Sequence, residues 1–154
     1  MANQAPQQQF MIERIYVKDI SFESPNSPAI FNKKVGTKIN MNVNIKNNSL
    51  DNNRYEVELI VTVESKDESG KTFFIVEVTQ AGIFVIKGYQ NEQLNHLLGS
   101  FCPNTLFPYL REVVSNLVSK GGFPQLHIAP INFDALYKSR MENKNNGSNT
   151  TSMT

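Results

Sequence analysis

KINMNVNIK, from Lys38 to Lys46, decides the fold: Ile39, Met41, Val43 and Ile45 alternate with Lys38, Asn40, Asn42, Asn44 and Lys46. A period of two residues is the mark of a strand with one face buried and the other in water. Beyond the NNSLDNN loop the period resumes, with Tyr55, Val57, Leu59, Val61 and Val63 set against Glu56, Glu58, Thr62 and Glu64. SKDESGK then reads as a turn in which Gly70 is free to take a positive φ. A fourth strand follows from Thr72 to about Gln80, with Phe74, Val76 and Val78 on one side and Phe73, Ile75, Glu77 and Thr79 on the other. The mostly apolar segment between Gly82 and Gly88 is suited to prolong it.

Upstream, Ile15 and Val17 occupy odd positions while Ile20 and Phe22 occupy even ones. The apolar phase therefore slips by one residue at Lys18 and Asp19, which predicts a β-bulge or a sharp bend in the first strand. SPNSP at 24–28 ends that strand. Short loops between strands make antiparallel pairing the economical topology.

The apolar face of such a sheet needs a cover. Leu110, Val113, Val114, Leu117 and Val118 stand at i, i+3, i+4, i+7 and i+8, one face of a helix. Gly121 is a stop signal, and Pro108 is expected in the first turn, with the start at Asn104 or Phe107 left open. A short second helix is expected from Asp134 as its N-cap to Met141. The reading is α+β: a four-stranded antiparallel sheet with one long and one short C-terminal helix packed on one side. Residues 1–9, rich in Gln, read as a flexible lead; 10–141 form a single domain; 142–154 read as a disordered tail.

Composition narrows the function. The chain has 154 residues and a net charge of +1, with 15 basic against 14 acidic side chains, which gives no footprint for a phosphate backbone. Nucleic acid is not an expected partner. MANQAPQQQ is not a secretion leader, and no apolar run is long enough for membrane insertion. With Cys102 as the single cysteine, a reducing cytoplasm is expected. SGKT at Ser69–Thr72 resembles the end of a P-loop, but position 65 is Ser and a strand follows, so a turn is the better reading. His96 and His127 lie far apart, and no Cys or His pair has ligand spacing, so no metal, no cofactor and no catalytic residue is expected.

What remains is an apolar surplus. Phe101, Phe107, Tyr109, Phe123, Phe133 and Tyr137 crowd around Pro103, Pro108, Pro124 and Pro130. Extended segments beside a helix make good groove walls, and an aromatic groove with few polar contacts binds apolar segments with little sequence preference. On the far face of the sheet, Asp19, Glu23 and Glu77 surround Ile75, an apolar residue among charges.

Five spaced blocks carry a resemblance: RIYVKDISFESPNSP at Arg14–Pro28, YEVELIVTV at Tyr55–Val63, GIFVIKG at Gly82–Gly88, LGSFCPNTLFPYLRE at Leu98–Glu112 and GFPQLHIAPINFDALY at Gly122–Tyr137. Together they resemble the bacterial protein-export chaperone family SecB, over Arg14 to Tyr137. The resemblance implies a homotetramer built as a dimer of dimers, with the long helix and its Leu110, Val113, Val114, Leu117 and Val118 at an interface. It implies unfolded precursor proteins as clients, held in a groove for which Phe84, Phe101, Phe107, Tyr109, Phe123 and Tyr137 are the candidates. It also implies delivery to the motor ATPase SecA, whose C-terminal zinc-containing segment would dock on Asp19, Glu23, Ile75 and Glu77. A SecB-like chaperone dedicated to an antitoxin is the alternative, and an apolar small-molecule carrier a further one.

Overall fold

The computed structural model describes residues 7–33 and 38–151, with side chains as far as residue 145. Four strands, β1 (Gln9–Glu23), β2 (Lys38–Ser49), β3 (Arg54–Lys66) and β4 (Thr72–Lys87), form one antiparallel sheet in the order β1-β4-β3-β2. The last three strands are a meander. A single turn of 3-10 helix, Ala29–Asn32, lies in the long connection that carries β1 to the far side of β4. A one-residue register shift falls between Val17 and Asp19, where the apolar phase slips. A second lies between Ile12 and Arg14, and the sequence carries its signal too, since Phe10 and Ile12 are even where Ile15 and Val17 are odd. Asp67 holds the β3–β4 turn by accepting hydrogen bonds from the backbone of Ser69 and Lys71, at 2.9 and 2.8 Å, and Gly70 there has φ +88°.

The helical part is longer than the spacing predicts. α1 (Asn91–His96), a π-helical turn (Leu97–Phe101) and α2 (Cys102–Lys120) follow one another without a break. Pro108 therefore sits inside α2, and the expectation that it belongs to the first turn is corrected. Proline removes the hydrogen bond to the carbonyl four residues back, but Asn104 and Pro108 are both exposed, so water can serve that carbonyl. The apolar stripe of α2 runs Leu106, Leu110, Val114 and Val118, one residue per turn and each fully buried. It packs on Val57, Leu59, Val61 and Val63 of β3 and Val76 and Val78 of β4 in the same core, each contributing roughly 2 kcal/mol by burial. At the helix end, Phe123 N–H donates to Val118 O at 3.3 Å around Gly122, whose φ is +87°. The left-handed residue of this C-cap is thus Gly122 rather than Gly121.

α3 (Phe133–Thr151) begins with Asn132, whose Oδ1 accepts the Ala135 N–H at 3.0 Å. Asn132 takes the capping position predicted for Asp134, whose carboxylate is engaged elsewhere. The helix also continues through 142–151, which the sequence reading leaves as a tail, because extending an anchored helix adds one hydrogen bond per residue even without an apolar stripe. Residues 152–154 and 1–6 lie outside the described part, and Gln9 is already in β1. No described helix is long and apolar enough to cross a membrane.

Candidate functional site

The outer face of the sheet, away from the helices, is ordered by strand register. Asp19 lies opposite Thr79, Ser21 opposite Glu77, and Glu23 opposite Ile75. Across β4, Ile75 faces Glu64, Glu77 faces Thr62, and Thr79 faces Ile60. Neighbouring strands stand about 4.8 Å apart, so Ile75 is flanked in its own row by two carboxylates, Glu23 and Glu64. Glu77 lies one row on, its carboxylate accepting from Thr62 Oγ1 at 2.9 Å. The register thus brings together all four residues predicted for this face and adds Glu64. Alternation alone puts Glu64 on the polar side of β3; only the pairing sets it beside Ile75.

Further along the same face, charge is internally compensated. Lys18 Nζ reaches Glu56 at 3.0 Å and Glu58 at 2.7 Å, and Arg54 reaches Glu13 at 2.7 Å. The Tyr16 hydroxyl donates to Glu56 and holds that carboxyl below its ordinary range. Burial, reinforced by Glu56, pushes the Tyr16 phenol up to about 12.

The helix side is organised by what α2 leaves bare. Phe84 is fully buried and Phe107 nearly so, the latter edge-on to Phe133. Both belong to the core, and their assignment to a client groove is corrected: period and composition do not reveal which aromatics the helix covers. Phe101 and Tyr109 are about half exposed, at 47% and 51%. Tyr137 is half-buried against the π-helical turn, and Phe123 packs on Phe31 and Phe74. Leu110, Val114 and Val118 are likewise committed to the chain's own core, so of the predicted interface only Val113 and Leu117 remain half-buried.

Two apolar areas flank the helix instead. Along β1, Ile12, Val17 and Ile20 are exposed on the helix side, and Val17 lies beside Tyr109. A cavity of about 450 Å³ there is lined by Ile15, Val17, Tyr109 and Val113. Gln80 lies at the same cavity, 2% exposed, its Nε2 donating to Tyr16 O while its Oε1 has no partner among the described residues. On β2, Ile39 and Met41 are exposed, and Phe31, also exposed, packs on Phe123. The alternation of β1 and β2 signals these residues, but not that the helix stops short of them.

Residues 3–144 match the family model described as preprotein translocase subunit SecB. The chain belongs to the SecB family. It is a protein-export chaperone, and its SecB relatives are named protein-export proteins. It is 52% identical over 140 residues to the protein-export protein SecB of Methylococcus capsulatus, covering 91% of this chain and 90% of that one. Identity is again 52% over 145 residues to the SecB of Nitrosococcus oceani, covering 93% and 88%. Among solved structures, the fold resembles a SecB-like chaperone of Mycobacterium tuberculosis in complex with a ChAD peptide from the HigA1 antitoxin. That match has a TM-score of 0.67 at 15% identity, covering 79% of this chain and 90% of that one.

Proposed function

We propose that this SecB chaperone serves export in the cytoplasm by binding alone, using the two faces of one sheet for different partners. The outer face receives the C-terminal zinc-containing segment of SecA. The helix side receives unfolded precursor segments and the other subunits of a homotetramer, arranged as a dimer of dimers. The observation that carries the docking half is Ile75 flanked by Glu23 and Glu64 with Glu77 in the next row, a setting for an apolar contact between cations. Charge complementarity of this kind speeds and orders encounter and weakens with salt.

On the helix side, β1 supports assembly: it is an edge strand with exposed Ile12, Val17 and Ile20, and the unpartnered Gln80 Oε1 is an acceptor for a donor from another copy. Phe101, Tyr109, Phe123 and Tyr137, joined by Phe31, Ile39 and Met41, are the surface left for clients. Burial spread over several such surfaces in a tetramer gives affinity through multivalency.

The test is Glu77→Lys. Two unit charges about 4 Å apart in water interact by about 1 kcal/mol, so reversing one charge is worth about 2 kcal/mol, roughly a thirtyfold loss of SecA affinity. Suppression of aggregation of a urea-diluted precursor stays at the wild-type level. If both activities fall together, the docking face is wrongly placed.

A further inference from the structure

The bulge in β1 has an electrostatic consequence. Val17 pairs with Gln80 on the helix side and Asp19 pairs with Thr79 on the outer side, so Lys18 is the extra residue between them. Its ammonium binds Glu56 and Glu58, which face Ile83 and Ala81 on the outer side. Two consecutive side chains, Lys18 and Asp19, thus lie on one face, which an unbulged strand cannot arrange. Hydrogen bonds to Glu58 and Glu56 raise the pKa of Lys18 above its ordinary value, so the cation persists through neutral pH.

The face is thereby divided. On one side of Lys18 the carboxylates Glu13, Glu56 and Glu58 all have cation partners. On the other, Asp19, Glu23 and Glu77 have none among the described residues, and Glu64 has Lys66 at 3.4 Å.

We infer that Lys18 is a specificity-determining residue that ends the docking surface, silencing Glu56 and Glu58 so that a basic segment is received only on the half that holds Glu23, Ile75 and Glu77. The inference rests on the proposed docking of SecA to this face. A partner cation seated on Asp19 stands within one screening length of the Lys18 ammonium, about 10 Å at 0.1 M salt. Lys18 therefore repels the end of the bound segment, and its removal also frees two carboxylates.

The experiment measures SecA binding to the full chain as wild type, Lys18→Met, Lys18→Arg and Glu77→Lys, at low ionic strength and near 1 M salt. Lys18→Met should bind about threefold tighter at low ionic strength, with the gain lost near 1 M, where the screening length is about 3 Å. Lys18→Arg, which keeps the charge, should match wild type. Unchanged or weaker binding by Lys18→Met, with Glu77→Lys still impaired, overturns this inference and leaves the docking face standing. Wild-type binding by Glu77→Lys overturns both.

Discussion

Gly99→Ala sets helix propensity against packing, with opposite signs. Gly99 lies in the π-helical turn, and a Cβ built there would stand 2.5 Å from Cδ2 and 2.8 Å from Cε2 of Tyr137. Ordinary carbon contacts begin near 3.5 Å, so the ring must retreat by about 1 Å. It has little freedom to do so. Three residues before it, the Asp134 carboxylate accepts from Ser100 Oγ at 2.5 Å and meets His96 Nε2 at 2.8 Å, which pins α3 to the same turn, and the Tyr137 ring packs edge-on against His96. Propensity alone makes Ala better than Gly in a helix by about 1 kcal/mol. Overpacking costs about 1–3 kcal/mol, so the expected net effect is destabilisation by about 1 kcal/mol. In a Tyr137→Ala background the obstacle is gone, and Gly99→Ala should stabilise by about 1 kcal/mol. The coupling is then about 2 kcal/mol, within the range for residues in contact. Urea unfolding of the four variants, at one protomer concentration because assembly shifts apparent stability, reads it directly. An equal stabilisation in both backgrounds would refute the reasoning, since it would mean that Tyr137 does not rest on Gly99.

The Asp67 carboxylate, ion-paired to Lys33 at 2.8 Å and hydrogen-bonded by Ser69, has its pKa held well below the usual range, chiefly by the lysine. With an unfolded value of about 3.9, its stabilisation is complete above roughly pH 5 and is lost as pH falls toward the depressed folded value. Asp67→Asn should therefore be less stable at pH 7 and less sensitive to acid below about pH 4, as measured by melting temperature against pH; an acid limb identical to wild type would count against this. The Cys102 thiol is fully buried and its pKa is pushed up to about 12. It should not react with an aromatic disulfide reagent at pH 8 until urea unfolds the chain, and rapid reaction of the native protein would show that this part of the core opens.

The strands and the Lys18 bulge are legible because their cause is local: a side chain that changes face changes the parity of the apolar pattern. Ile75 among carboxylates could be seen in the same way. What alternation does not carry is pairing, so Glu64 as a neighbour of Ile75 emerges only from the β3–β4 register. The aromatics divide for a related reason. Phe84 and Phe107 resemble Phe101 and Tyr109 in sequence, yet the first two lie under α2 or α3 and the others beside them. Pro108 misleads because the rule against interior proline assumes a carbonyl left without a partner, and here that carbonyl is on the wet side. Asn132 displaces Asp134 as the cap because Asp134 has stronger partners in Ser100 and His96.

The dimensions of the parts explain why this chain has surfaces to offer. A helix of 19 residues is about 28 Å long but only about 10 Å wide, whereas four strands spaced about 4.8 Å apart make a broader sheet. α2 therefore covers the two central strands, where every inward valine of β3 is buried, and leaves the inward faces of β1 and β2 partly open. A domain that ended its design at its own stability would add a second helix beside the first. Here α3 is held instead at the π-helical turn, with Arg140 reaching back to the Val43 carbonyl at 3.0 Å. The flanks carrying Ile12, Val17 and Ile20 on one side and Ile39 and Met41 on the other stay accessible. Exposed apolar flanks of this kind are a liability for an isolated subunit. In the function proposed above, the same exposed flanks would be what receives unfolded segments and other copies of the chain, by burial rather than by sequence.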